Sequence, residues 1–501
     1  MSAHQRITAA VVATLAGEQT RDDALRAISE ADLAEVLHAT IGDQAGELLC
    51  AGIAASPGVA VGKICLSVDA VLSVVDAGDE AVLVASETGP EDEPGMRWST
   101  GIVTARGGLA SHAAIFARGM GLPAVCGAEG LRIDGDHVVV GDVRIAEGEV
   151  VTVDGSTGQV FVGEILVDHQ EPPDELEVLL TWADEVRAGR VGVRANADTG
   201  EDAAMARRLG AEGIGLCRTE HMFLGTRLPV VRRVLLATDD DERDAALADL
   251  LAVQRSDFVE VLEAMDGLPV TVRLLDAPLH EFLEDSHEQN PMLGLRGVRL
   301  ALAIEGLYRT QSRALLEAAA LRRTAGGNPI IEIMVPLVAL TAELATVRPW
   351  IDAEIEAAGD AGTVKVGTMI ETPRAALRAG GLAPYADFMS FGTNDLTQMT
   401  FGFSRDDVES SVIGEYLKRG LLQRSPFEAL DTGGVGELIS LAVERARAVD
   451  PDMKIGICGE HGGDPRSIAF VVDAGIDYVS CSGPRVPVAR LAAAHALLGA
   501  G

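Results

Sequence analysis

Two different alternations of apolar and polar positions divide the chain. From about residue 186 to the C-terminus, eight short apolar runs alternate with helical stretches. They are VGVRANAD, GIGLCRTE, VTVRLLD, IIEIMVP, VKVGTMIE, FMSFGTND, KIGICGE and YVSCS. Strands alternating with helices predict a parallel sheet. Eight such units over roughly 300 residues predict a (β/α)8 TIM-type barrel with insertions. An open doubly wound sheet is the alternative that the pattern leaves.

Between about residues 49 and 165 the pattern changes to short β-rich runs such as GVAVGKICL, AVLVASE, GIVTA and EVVTVDG, punctuated by Gly, Asp and Pro. This reads as a compact β/α domain. Residues 1 to about 48 read as helical, with apolar residues from Arg21 to Ile41 at three- and four-residue spacing. Ser29 with Asp32 resembles a capping box with a shortened acid. Pro172-Pro173 and the acidic stretch Asp174 to Glu177 mark a linker over 166–185, which places the barrel at 186–501.

The 501 residues are 48% hydrophobic, enough for a sizeable core and two or more domains. Lys plus Arg number 41 against 76 Asp plus Glu, a net charge of -35. Such a surface repels nucleic acid and anionic membranes. It also repels an anionic metabolite, so a phosphate site here needs local arginines or a metal. No run of about 18 apolar residues predicts a membrane span. The N-terminus MSAHQRITAA lacks the pattern of a signal peptide, and the six cysteines are scattered with no CxxC. Both features suit a cytoplasmic protein.

Polar residues gather at the C-terminal ends of the barrel runs. Arg218, Thr219 and Glu220 end the second run; Arg273 and Asp276 end the third. Glu371 ends the fifth, Asn394 and Asp395 the sixth, Cys458 and Glu460 the seventh. In a barrel these ends share the face that carries active sites. Glu371 and Asp395 suit Mg²⁺, which binds through one or two carboxylates plus waters and substrate oxygens. Arg218 and Arg273 offer planar forks for phosphate or carboxylate. Cys458 is a thiol placed to move a proton.

The β/α domain contributes His112, in the run Gly107-Gly108-Leu109-Ala110-Ser111-His112. A Gly-Gly turn can form an anion-binding nest, and Ser111 is a reasonable N-cap. His112 then falls at the first turn of a helix, where free N–H groups favour negative charge. Imidazole is nucleophilic near neutral pH and can carry a covalent group.

The segment Thr104–Gly127, TARGGLASHAAIFARGMGLPAVCG, resembles the phosphohistidine domain of the phosphoenolpyruvate-utilising enzymes. The segments ANADTGEDAAMARRLGAEGIGLCRTEHMF, VTVRLLDAPLHEFL, NPMLGLRGVRL, KVGTMIETPRAAL, SFGTNDLTQMTFGFSRDD and KIGICGEHGGDP look like the C-terminal barrel of that family's pyruvate phosphate dikinases. The likeness runs from about residue 20 to the end. It implies a phosphotransferase that interconverts phosphoenolpyruvate and pyruvate through phosphohistidine. It implies His112 as the phosphoryl carrier and Cys458 as the acid that protonates the pyruvate enolate. Arg218, Arg273 and Arg296 would hold the phosphoryl group and carboxylate. Gly392, Thr393, Asn394 and Asp395, the GTND motif, would complete the substrate site, with Glu371 and Asp395 binding Mg²⁺. A homodimer through the barrel is also implied.

Two departures stand out. Ala110 replaces the threonine that plant-type dikinases phosphorylate for regulation. About 48 residues precede the phosphohistidine domain, and they resemble a helical connector instead of an ATP-grasp domain. The resemblance therefore implies a form without its own nucleotide domain, served by a separate ATP-grasp protein or another phosphoryl donor or acceptor. Two further readings remain at this stage. One is transfer from His112 to another protein, as in enzyme I of the sugar phosphotransferase system. The other is a regulator that senses phosphoenolpyruvate without turnover.

Overall fold

A computed structural model describes every residue except 42–45, 110, 169–170, 224–226, 284–287, 305, 360–361, 409–411 and 500–501. Ala110 thus lies outside the described residues. The chain divides into two compact units, one of residues 1–186 with 403–428 and one of residues 187–402 with 429–499.

The second unit is a closed barrel of eight strands in chain order. They are Gly192–Asn196, Ile214–Arg218, Pro269–Arg273, Ile330–Val335, Thr363–Ile370, Phe388–Phe391, Lys454–Ile457 and Tyr478–Ser482. Each coincides with one of the apolar runs. The first strand pairs with the eighth in parallel, Val193 opposite Val479, so the sheet has no free edge. This excludes the open doubly wound alternative. The strands are rich in Val and Ile because both of their faces are buried. Val272, Ile333, Ile370 and Phe391 belong to the continuous core that the strands share with surrounding helices, including Asp240–Ala264 and Leu307–Thr324.

The barrel interior is polar near the N-terminal ends of its strands. Arg194 pairs with Glu332 at 2.6 Å, Thr271 donates to Glu332, and the Arg194 guanidinium lies 4.1 Å from the centre of the Tyr478 ring. Leu216, Met334, Met369, Phe388 and Cys458 form a separate apolar cluster.

The first unit is built on a mixed eight-stranded sheet. Its centre is parallel, running Val59–Cys65, Ala81–Ala85, Gly101–Thr104 and Ala124–Cys126. Among its described residues, the N-terminal segment is helical over Ala3–Leu15, Arg21–Ala27 and Glu30–Leu37. Ser29, in extended conformation, caps the third helix with Asp32 reciprocating. Beyond it, Thr40–Ile41 and Glu47–Ala51 are strands, so the helical reading of 1–48 is too long. The β-branched Thr40 and Ile41 suit a strand, and they pair with Asp168 and Val167.

The segment read as a linker, 166–185, carries most of the helix Glu175–Arg187. Leu176, Leu179, Leu180, Trp182, Ala183 and Arg187 are buried, and Leu176, Leu179, Leu180 and Ala183 are spaced as one helix face. Arg21 covers Trp182 on the same helix, 5.5 Å from the ring centre. The prolines and acids preceding this helix resemble linker composition and mask the periodicity behind them.

Candidate active site

The parallel centre of the first unit's sheet positions His112. The loop after Gly101–Thr104 turns at Gly107, whose φ of 112° is in glycine's range. A Cβ there would come within 2.8 Å of the Ser111 side chain. Ser111 then caps the helix His112–Met120, its Oγ accepting from the Ala114 N–H and donating to the Gly108 carbonyl. His112 is half-buried at the first turn, as the motif predicts. Its Nδ1 lies 3.3 Å from the hydroxyl of Thr88, which follows the neighbouring strand Ala81–Ala85. Thr88 lies 24 residues before His112, and sequence spacing alone does not connect them.

In the second unit, the barrel brings the predicted strand-end residues onto one face. Asp276 is their hub. One of its oxygens accepts from Arg296 Nε at 2.8 Å and the other from Arg296 Nη2 at 2.9 Å, a bidentate pair. Arg273 Nη1 is 3.1 Å from the same carboxylate, and Arg273 also pairs with Glu220. Burial opposes the charge on both arginines. The surrounding carboxylates outweigh it and hold both above the ordinary guanidinium range. Burial likewise opposes the charge on Asp276, but Arg296 and Arg273 keep its carboxyl below the usual range. Arg273 Nε and Glu220 Oε2 are buried with no hydrogen-bond partner among the described residues. An unpaired buried donor is costly, and an anionic ligand oxygen would satisfy it.

Arg218 is half-buried, and its backbone N–H donates to Asp198 Oδ1 at 2.6 Å. The other Asp198 oxygen faces His221 Nδ1 at 2.8 Å. Neither Asp198 nor His221 stands out in sequence beyond its closeness to the arginine motif.

Glu371 is fully buried. Its Oε1 accepts from the Leu337 N–H at 2.5 Å, while its Oε2 has no hydrogen-bond partner among the described residues. Leu337 has a φ of 55°, the one positive φ among the described non-glycine residues. A backbone held there costs on the order of 1–3 kcal/mol and marks a position fixed by its surroundings. A Cβ on Gly392 would sit 2.7 Å from Glu371 Oε2, so this glycine keeps the space beside the unpartnered oxygen. Asp395 Oδ1 lies 3.5 Å from Arg296. Burial, together with the charges of Asp276 and Asp395, pushes Glu371 up to about 8. A buried carboxylate with an unpartnered oxygen and a second acid nearby is a donor set that fits a hard divalent cation. Among the described residues, no group of three or more His, Cys, Asp or Glu is arranged to hold a metal. Any such ion would therefore take its remaining ligands from water or substrate.

Cys458 follows the seventh strand. Its thiol donates weakly to the Phe391 carbonyl at 3.6 Å, and burial pushes it up to about 11. The group is a neutral thiol at physiological pH, suited to giving a proton rather than to attacking as a thiolate. Around it, Asn196 donates to the Cys458 carbonyl, Asn394 Oδ1 accepts from the Glu460 N–H, and Thr393 Oγ1 lies 2.8 Å from His461 Nδ1. The Ser390 and Tyr478 hydroxyls are buried beside it, with Ser390 interacting with both the Cys458 thiol and the Tyr478 hydroxyl. The Tyr478 ring crosses Gly456, where a Cβ would overlap it. Sequence reading missed both residues, because a strand Ser and Tyr look like ordinary core positions.

Residues 174–498 match the family described as PEP-utilising enzyme, PEP-binding domain, and residues 77–158 match PEP-utilising enzyme, mobile domain. The chain is 48% identical to the pyruvate, phosphate dikinase of Rhizobium meliloti (strain 1021), over 96% of this chain and 57% of the relative. It is 46% identical to pyruvate, phosphate dikinase 1, chloroplastic, of Arabidopsis thaliana, over 95% of this chain and 53% of the relative. Against the chloroplastic enzyme of Flaveria trinervia the identity is 45%, over 95% and 54%. The chain spans about half the length of the curated relatives it matches.

Proposed function

The chain belongs to the phosphoenolpyruvate-utilising enzymes, and we propose that it carries the phosphoenolpyruvate–pyruvate half-reaction of a pyruvate phosphate dikinase. The observation that carries the reading is the hub at Asp276, which presents two buried arginines beside Glu371 and Asp395. Phosphoenolpyruvate binds at this face, its anionic groups on Arg218, Arg273 and Arg296. Thr393 and Asn394, which open the helix Thr393–Phe401 after Gly392, border the same site. Glu371 and Asp395 would hold Mg²⁺, which supplies positive charge to the phosphoryl and enolate oxygens.

A ring nitrogen of His112 attacks phosphorus, and the bond from phosphorus to the enol oxygen breaks. The transferring group carries its charge on its outer oxygens, which the arginines neutralise in a water-poor setting. The Cys458 thiol gives its proton to C3 of the enolate, yielding pyruvate and a thiolate that must regain a proton before the next turnover. The reverse sequence makes phosphoenolpyruvate from phosphohistidine and pyruvate. Thr88 orients the His112 ring for both directions.

The proposal includes a cytoplasmic location and a homodimer through the barrel. Among the described residues no helix is long and apolar enough to cross a membrane. Exchange of isotope between pyruvate and phosphoenolpyruvate, with Mg²⁺ and the purified chain, tests the reaction. Steady exchange is the expected result. Tight binding of phosphoenolpyruvate with no exchange would favour a sensor instead.

A further inference from the structure

We infer that Gln311, on the outer barrel helix Leu307–Thr324, is a positioning residue that holds the two arginine-bearing strand ends in place. This rests on the proposed reading of those arginines as the phosphoenolpyruvate site. Gln311 is fully buried, and its amide bonds to Leu275, Thr219 and Gln254, which are not among the proposed reacting groups. Its amide reaches both strand ends at once. Oε1 accepts from the Leu275 N–H at 2.9 Å, and Nε2 donates to Thr219 Oγ1 at 3.1 Å. Nε2 also donates to Gln254 Oε1 at 3.2 Å, on the helix Asp240–Ala264. Both amide hydrogens and the carbonyl are thus engaged, which fixes the amide's orientation.

The two contacted residues occupy particular places. Thr219 sits between Arg218 and Glu220, and Glu220 is the partner of Arg273. Leu275 immediately precedes Asp276, the carboxylate shared by Arg273 and Arg296. A single side chain therefore bonds next to two of the acids that orient the arginine cluster, Glu220 and Asp276. Tyr308, one turn earlier on the same helix face, donates its hydroxyl to the Leu275 carbonyl at 3.1 Å. Leu275 lies past the end of its strand, so neighbouring strands no longer satisfy its peptide groups. Side chains of this one helix bond both its N–H and its C=O.

Buried polar groups of this kind are costly unless fully bonded, and an apolar helix face would pack the barrel as well. A network tied to these two loops fits a role in the geometry of the site. Binding groups displaced by about 1 Å can lose on the order of 100-fold in function.

The test uses the whole chain. Gln311→Met keeps length and volume and removes all three bonds. Calorimetric titration with phosphoenolpyruvate and Mg²⁺ should show affinity weakened on the order of 10- to 100-fold. The pH profile of pyruvate–phosphoenolpyruvate exchange should keep its wild-type shape, since the proton-bearing groups are untouched. Gln311→Glu keeps the acceptor for Leu275 and lets the Thr219 hydroxyl turn to donate, so it should recover part of the affinity. Merely loosened packing would give no such order among the variants. If the Met variant fails to fold, Tyr308→Phe decides, with several-fold weaker binding expected. A folded Met variant, or in its place the Phe variant, that binds like wild type would overturn the inference. A wild-type chain that neither binds nor exchanges would instead overturn the proposed function.

Discussion

His112 sits half-buried at the first turn of a nine-residue helix, with the Thr88 hydroxyl against its ring. Arg273, Arg296 and Glu371 lie buried at the barrel face, locked to Asp276, Glu220 and the Leu337 backbone. The two settings suit two tasks. A carrier that must take up and give away a phosphoryl group needs orientation without a dense set of bonds to break. A site that must bind an anion on a chain of net charge -35 needs positive groups fixed and desolvated before the ligand arrives. Asp276 and Glu220 do this by holding the guanidinium planes in place, which would otherwise sample many rotamers.

The comparison can be broken most severely at the barrel. Glu371→Gln and Asp395→Asn should each take exchange below detection at ordinary Mg²⁺, while circular dichroism shows the barrel folded. Glu371 and Asp395 are the two carboxylates proposed to hold the ion, so removing either leaves one. Retained exchange in either variant would show that these are not the ligands.

Cys458→Ala should have the next largest effect, lowering exchange by about 10²–10⁴, the range for general acid–base groups. Phosphoenolpyruvate affinity, measured by titration, should change little. Near-normal exchange would make the thiol a packing residue of the apolar cluster it shares with Leu216, Met334, Met369 and Phe388.

The smallest effect concerns stability around Arg218. Burial works against the Asp198 charge, but the His221 ring and Arg218 outweigh it and bring the carboxyl down to about 2. Because its folded value lies below the unfolded one, the stabilisation is present above about pH 4 and is lost as pH falls toward 2. Urea midpoints should show wild type losing about 2 kcal/mol more than Asp198→Asn over that window. Parallel acid curves for the two proteins would mean that the Asp198 pair adds nothing to the rigidity of the barrel face.

Much of this organisation was legible in the chain before any coordinates. The eight barrel strands coincide with eight apolar runs because strands buried on both faces are mostly apolar, even where a paired residue such as Arg194 or Glu332 interrupts them. Ser111 and the Gly107 turn announce the helix that presents His112, since caps and positive φ are local properties. Arg218, Arg273, Glu371 and Asp395 were visible as polar residues closing apolar runs.

What stayed hidden depends on contacts distant in sequence. Asp276 stood at a strand end, but nothing in the sequence shows it shared by two arginines. Gln311 looks like any polar position on a helix, Thr88 like a loop residue, and Leu337 like a core leucine. The helix Glu175–Arg187 was obscured by the Pro-Pro and acidic residues around its start.

On the proposed reading, His112 carries the phosphoryl group drawn from phosphoenolpyruvate. Incubating the chain with Mg²⁺ and phosphoenolpyruvate labelled in its phosphoryl group tests this most directly. An acid-labile, base-stable label that maps to His112 and is absent from His112→Ala is the expected result. Label that persists in His112→Ala, or that survives acid on a serine, would contradict it.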